Sequence, residues 1–141
     1  MVAQEELIQK ALEARKLAYT PYSHHKVGAA LLTKDGKIFT GCNVENAGYT
    51  PSNCAERTAV FKAVSEGYRE FTAIAIVGGF DGKPLPICAP CGVCRQVLRE
   101  FCDPDTFQVI LGTDNLNEKK VFKLGELLPL GFGPENLKGE K

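Results

Sequence analysis

A chain of 141 residues, 44% hydrophobic and 24% charged, has the size and composition of one soluble globular domain that buries a core without disulfides. Its 17 basic and 17 acidic residues cancel, which leaves no field to steer a polyanion and argues against nucleic acid as a partner. No run reaches the roughly 18 apolar residues of a membrane span and no secretory signal opens the chain, so a single cytoplasmic domain over residues 1–141 is expected.

Residues 4–19 read as an amphipathic helix: Leu7, Ala11, Ala14 and Ala18 recur on one row, with Ile8, Leu12 and Tyr19 beside it, and Pro21 ends it. Residues 27–32 turn apolar and β-like. Lys34-Asp35-Gly36-Lys37 then supplies the Asp-Gly pair of a tight type I′ hairpin into a second strand at 38–44. A turn-rich stretch over 45–53 leads to a second helix with Ala55, Ala59, Val60, Ala63 and Val64 as its apolar face and Gly67 past its end. Residues 72–77 are nearly all apolar and rich in β-branched side chains, the pattern of a central strand buried on both faces. After a Gly- and Pro-rich loop over 78–90, Pro90 suits the first turn of a third helix that turns Val93, Val97, Leu98 and Phe101 inward and ends at Asp103-Pro104. Two further strands are expected at 107–111 and 120–122, a short helix at 125–128, and a tail containing Leu130, Phe132 and Leu137. This order describes an α/β layered fold with a mixed sheet.

Six cysteines in a chain without a secretory signal point to metal binding or redox chemistry, since a reducing cytosol keeps thiols free. Cys91 and Cys94 are three residues apart, so within one helical turn both sulfurs face the same way and can bind one tetrahedral ion. Taken alone, this spacing also fits a redox pair or two half-buried thiols. Cys54, at the start of another helix, supplies a third sulfur, because the strand between the two helices returns the chain to the same edge of the sheet. All three then sit at positive helix ends, which favour the thiolate. Three protein ligands leave one position open, the arrangement of a catalytic rather than a structural zinc site. Glu56, two residues after Cys54, is placed to move protons at that open position. Its competing reading is a capping box, with Asn53 three residues before it. Cys42, Cys88 and Cys102 read as small buried thiols, although Cys88-Ala89-Pro90-Cys91 is a second, overlapping Cys-x-x-Cys spacing.

Cys54-Ala55-Glu56 with Pro90-Cys91-Gly92-Val93-Cys94 resembles the signature of the cytidine deaminases, in the three-cysteine form of the zinc deaminase pattern. Pro21-Tyr22-Ser23, Val27-Gly28-Ala29-Ala30, the run from Gly41 to Ala47, Cys54 to Ala59, Cys94-Arg95-Gln96 and Leu127-Leu128-Pro129 extend the resemblance along nearly the whole chain. It implies a three-layer α/β/α fold with a five-stranded mixed sheet, assembled as a homotetramer with shared active sites. It implies one zinc per chain on Cys54, Cys91 and Cys94, Glu56 as the proton carrier, and hydrolysis of cytidine and 2′-deoxycytidine to uridine and 2′-deoxyuridine with release of ammonia. Asn43 and Glu45 then hold the ribose hydroxyls, Ala47 contacts the base through its backbone, and Tyr49 and Phe132 reach a neighbouring subunit's site. Arg57 hydrogen-bonds the thiolates, offsetting the net negative charge that three of them leave around a dication. Two features depart from the family pattern. His25 stands where phenylalanine is common near the base, and the loop over 79–88 is longer, which keeps a modified cytosine nucleoside such as blasticidin as an alternative substrate. A structural zinc module with Cys88 as fourth ligand is the reading from a different class.

Overall fold

A computed structural model describes residues 2–139; Met1, Glu140 and Lys141, the ends of the expected domain, lie outside the described residues. Helix α1 (Gln4–Arg15) precedes a hairpin of β1 (His25–Thr33) and β2 (Ile38–Cys42). Helix α2 (Ala55–Ser65), strand β3 (Phe71–Phe80), helix α3 (Gly92–Phe101) and strands β4 (Gln108–Gly112) and β5 (Lys119–Lys123) follow, and α4 (Leu124–Leu127) and α5 (Pro134–Lys138) close the described chain. The strands form one five-stranded sheet in the order β2-β1-β3-β4-β5. Only β3 and β4 pair in parallel; the other neighbours are antiparallel, as a mixed sheet requires.

This topology places the site. Strands β2 and β3 are both antiparallel to β1, so they point the same way and both end at one edge of the sheet. Helices α2 and α3 each start after one of those strands and run back across the same face. Two helix N-termini therefore meet beyond the carboxyl ends of β2 and β3, where open α/β sheets commonly bind ligands. On that face Ala29, Leu31, Phe39, Ala59, Val60, Ile74, Ile76 and Leu98 form the larger core. On the other, α1 inserts Leu7, Ile8 and Ala11 against Ala30, Ala75, Val77 and Ile110. Each Leu, Ile, Val or Phe side chain among them removed from water contributes about 1.5–3 kcal/mol before chain entropy is counted.

Three local expectations are corrected. The first helix stops at Arg15 rather than reaching Tyr19, because Tyr19 is taken up by pairing: its N–H donates to the Asn43 carbonyl at 3.0 Å and its carbonyl accepts from Glu45 N–H at 2.8 Å. The hairpin is not type I′. Gly36 N–H donates to the Thr33 carbonyl and Thr33 N–H to the Lys37 carbonyl, while Gly36 alone of the loop residues has positive φ, at 96°. That is a three-residue loop with a glycine bulge, for which Asp-Gly serves as well as for the two-residue turn. Pro90 lies before the third helix rather than in its first turn, since Cys91 is the N-cap, and the tail contains the unforeseen helix α5. No helix among the described residues is long and apolar enough to cross a membrane.

Candidate metal centre and active site

Cys54 is the N-cap of α2 and Cys91 the N-cap of α3, both with extended backbone, so each enters its helix with its sulfur at the positive end. Cys94 follows three residues into α3, and its N–H points at Cys91 Sγ, 3.5 Å away. The sulfurs are 3.7 Å apart between Cys54 and Cys91 and 3.5 Å between Cys91 and Cys94, and all three lie within 4.8 Å of one another. A zinc ion with Zn–S bonds of about 2.3 Å needs ligand sulfurs about 3.8 Å apart to form a tetrahedral edge. The donor set fits zinc. Cys88 is not one of the clustered ligand atoms: its sulfur lies 2.8 Å from where a Cβ on Gly78 would lie, near enough to Glu56 and Cys54 to feel their charges. On zinc these three sulfurs would fill three corners of a tetrahedron and leave the fourth open, as in a catalytic site.

Charge around the sulfurs is arranged by Arg57, whose Nη2 donates to Cys54 Sγ at 3.3 Å. Interaction with the Cys94 thiol, together with Arg57, pulls the Cys54 thiol far below its ordinary value, while Cys94 is pushed up by the same contact and by burial. Arg57 Nε is buried without a hydrogen-bond partner, an orphan donor that sits beside an anionic centre rather than in an apolar core. Glu56 is 4% exposed, and burial, reinforced by the negative charge on Cys54, raises its carboxyl to about 7. The capping-box reading fails, because Cys54 and not Asn53 is the N-cap and the Asn53 side chain donates instead to Thr58 Oγ1 at 3.2 Å.

The remaining sequence candidates divide by place. Asn43 follows β2 and holds the start of β1, accepting from Val27 N–H at 2.9 Å and donating to the His25 carbonyl at 2.8 Å. Glu45 accepts from Tyr22 N–H and Ser23 N–H, each at 3.1 Å, and from the Ser23 hydroxyl, which holds its carboxyl below the usual range. These two residues therefore shape the strand that carries His25. The His25 ring meets Phe80 of β3 edge-on, with centroids 5.1 Å apart. Ala47 and Tyr49 are exposed on the loop before α2, where Tyr49 has φ of 62° and touches Tyr22 edge-on. Phe132 is 56% exposed on the segment between α4 and α5.

Residues 1–110 match the family model described as the cytidine and deoxycytidylate deaminase zinc-binding region. The chain belongs to that family. A cytidine deaminase of Halalkalibacterium halodurans is 50% identical over 131 residues, covering 93% of this chain and 95% of that protein. The crystal structure of the cytidine deaminase from Burkholderia pseudomallei is 52% identical, with a TM-score of 0.83 over 93% of this chain and 100% of that one. A blasticidin-S deaminase of Bacillus cereus is a more distant relative, 33% identical over 132 residues, 90% of each chain. Membership of this deaminase family agrees with a zinc site made by three sulfurs and with the five-stranded mixed sheet.

Sequence reasoning missed the glycines that bring the deaminase fold together. Gly28 and Gly41 sit inside strands, where a glycine signals close backbone approach. A Cβ on Gly28 would lie 2.6 Å from Arg15 N, and one on Gly41 would lie 2.6 Å from Ala59 N. The second contact seats the first turns of α2, and with them Cys54 and Glu56, against the end of β2.

Proposed function

We propose that this chain is a zinc-dependent hydrolase that deaminates cytidine and 2′-deoxycytidine to uridine and 2′-deoxyuridine, with release of ammonia, as a step of pyrimidine nucleoside salvage in the cytoplasm. The observation that carries the reading is the pairing of a three-sulfur cluster with a buried carboxyl, Glu56, two residues from one of its sulfurs. Cys54, Cys91 and Cys94 would hold the zinc, which when bound would supply the Lewis acidity that activates water for attack on carbon 4 of the pyrimidine. With zinc bound, Glu56 would take one proton of the water and deliver it to ring nitrogen 3 as the hydroxide oxygen bonds to carbon 4, then carry the second proton, from the new carbon-4 hydroxyl, to the amine nitrogen as the C4–N bond breaks and ammonia leaves. A carboxyl whose burial places it near 7 can both accept and return a proton at neutral pH. Arg57 holds the Cys54 thiolate and spreads its charge.

Asn43 and Glu45 take the ribose hydroxyls with the lone pairs and N–H that the β1 contacts leave over, and Ala47 offers its backbone to the base. His25 lines the base side of the pocket together with Phe80. Tyr49 and Phe132, both exposed on the described surface, complete a neighbouring copy's site in a homotetramer. Turnover of a panel of cytosine nucleosides that includes blasticidin-S, with zinc analysis of the wild type and Cys91→Ala, tests the reading. Cytidine is expected to be the preferred substrate, with one zinc per chain and with loss of both zinc and activity in Cys91→Ala. A fully zinc-loaded Cys91→Ala protein would show that the ligands are misassigned, and preference for blasticidin-S would move the chain to the narrower substrate class. Light scattering at assay concentration tests the assembly, which an active monomer would refute.

A further inference from the structure

Helix α3 faces two ways. Its first turn presents Cys91 and Cys94 to the metal site, and residues after them reach out to α4, to α5 and to the segment between. Arg95 Nη1 donates to the Leu127 carbonyl at 2.7 Å, and Gln96 Nε2 donates to the Phe132 carbonyl at 2.8 Å. Arg99 Nη2 pairs with Glu135 Oε1 at 2.6 Å, with side chains only 12% and 26% exposed. Asn136 Oδ1 closes the far side by accepting from Gly133 N–H at 2.8 Å. A Cβ on Gly133 would lie 2.6 Å from Arg99 Cζ, so a side chain there would push the Arg99–Glu135 pair aside.

The object of these bonds is Phe132. Its ring is more than half exposed, so the bonds are not recovering apolar burial within this chain. They fix the backbone at Phe132 and just after it, at Gly133 and α5, while Phe132 itself stays exposed. Leu130, two residues earlier, turns the chain at φ of 54°, in the left-handed region uncommon for a leucine, with its side chain fully exposed. A recognition group fixed before binding loses less freedom when it meets its target.

We propose that Gln96 and the Arg99–Glu135 ion pair are positioning residues that hold Phe132 ready to close over substrate in a neighbouring subunit, so that α3 organises both its own metal site and the lid of the next. The proposal rests on the reading of Phe132 given above. It adds a specificity-bearing role to the residues following Cys94, which otherwise read as helix surface. The same contacts make the lid a property of folded α3 rather than of a free tail.

The chain contains no tryptophan, so Phe132→Trp provides a single reporter of the ring's mobility by time-resolved fluorescence anisotropy of the zinc-loaded enzyme. Gln96→Leu and Arg99→Gln in that background are expected to speed the local motion, and Arg99→Lys to restore part of the order. In the chain with Phe132 intact, Gln96→Leu and Arg99→Gln are expected to raise KM for cytidine about two- to tenfold, the range for one lost hydrogen bond, with kcat and zinc content little changed. Phe132→Ala should raise KM comparably, and Gln96→Leu added to it should cost little more. If Phe132→Ala raises KM while the Gln96 and Arg99 variants leave both anisotropy and KM unchanged, the positioning role is overturned and the reading of Phe132 stands. If Phe132→Ala leaves KM unchanged, the reading of Phe132 fails, and the proposal fails with it.

Discussion

On one face of the sheet Gly28 lets α1 settle against β1 at Ala11 and Arg15; on the other, Gly41 lets α2 settle against β2 at Ala55 and Ala59. Up to that contact the two faces solve one packing problem in one way. They differ in helix direction. Helix α1 brings its C-terminus to the edge of the sheet where α2 and α3 bring their N-termini, so one face ends in partial negative charge and the other in partial positive charge. The α1 end is met by a cation, Arg15, whose guanidinium donates to the carbonyls of Lys26 at 3.1 Å and Gly79 at 2.7 Å. The α2 and α3 ends are met by the sulfurs of Cys54 and Cys91, which bind a metal as thiolates. The same sheet edge is thus structural on one side and catalytic on the other, and the sign of the helix end accounts for which side is which.

The largest expected effect tests what the faces share. Gly28→Val and Gly41→Val should each abolish the cooperative melt seen by circular dichroism, because the new Cβ meets helix backbone, which cannot turn aside as a side chain can. Overpacking costs about 1–3 kcal/mol even where side chains yield, a large share of the roughly 5–15 kcal/mol that holds such a domain together. A melt at the wild-type temperature in either variant would mean that the helix rides further from the sheet than these contacts require.

Next comes what the faces do not share. Glu56→Gln keeps the shape of the buried group and removes its proton chemistry, so the expected loss is about 10²- to 10⁴-fold in kcat, the range of general acid–base catalysis. Zinc content and melting temperature should be maintained. Retained turnover with lowered stability would return Glu56 to a structural role and make the two faces alike.

Much of this contrast was legible in the sequence, and the limits of legibility are physical. The cluster could be read because Cys91 and Cys94 are local to one helical turn and because Cys54 opens a helix that starts at the same sheet edge. Strand β3 could be read because burial on both faces leaves an unbroken apolar run. The hairpin turn was misread because Asp-Gly suits both a two-residue loop with both residues at positive φ and a three-residue loop with only the glycine there, and only Gly36 is. The end of α1 was misread because the pairing of Tyr19 with Asn43 and Glu45 is non-local and outweighs a continued helical pattern. The hold of α3 on the tail was invisible for the same reason: Gln96 and Phe132 are 36 residues apart, and neither position carries a periodic signal.

A smaller effect sharpens the boundary of the catalytic face at β1. The His25 ring lies edge-on to Phe80, while the residue's hydrogen bonds run through its backbone. A phenylalanine keeps that ring contact and removes two nitrogens that need partners. His25→Phe is therefore expected to leave the melting temperature within a few degrees of wild type and to lower KM for cytidine. An unchanged KM would place His25 outside the substrate pocket and shift the boundary to Phe80.

The smallest effect lies where the two faces are tied together. Asp81, just after β3, pairs with Lys26 of β1 at 2.7 Å and with Arg15 of α1 at 3.3 Å, joining the start of the long loop that leads to Cys91 to the C-terminal end of α1. The Lys26 contact is the main reason its carboxyl is held below the ordinary range, with Arg15 adding to it. A carboxyl whose value is lower in the folded chain than in the unfolded one contributes stability above its unfolded value, and that contribution disappears as pH falls through the folded value. Asp81→Asn should accordingly melt slightly below wild type at neutral pH, and the gap should close in acid as the wild-type carboxyl takes up its proton. The side chain is 64% exposed, so salt should shrink the gap as well. Melting temperatures of the two proteins across pH, at low and high salt, decide the matter. A gap that persists unchanged in acid would show that Asp81 acts through the shape of the loop rather than its charge, and that the two faces are joined there by packing alone.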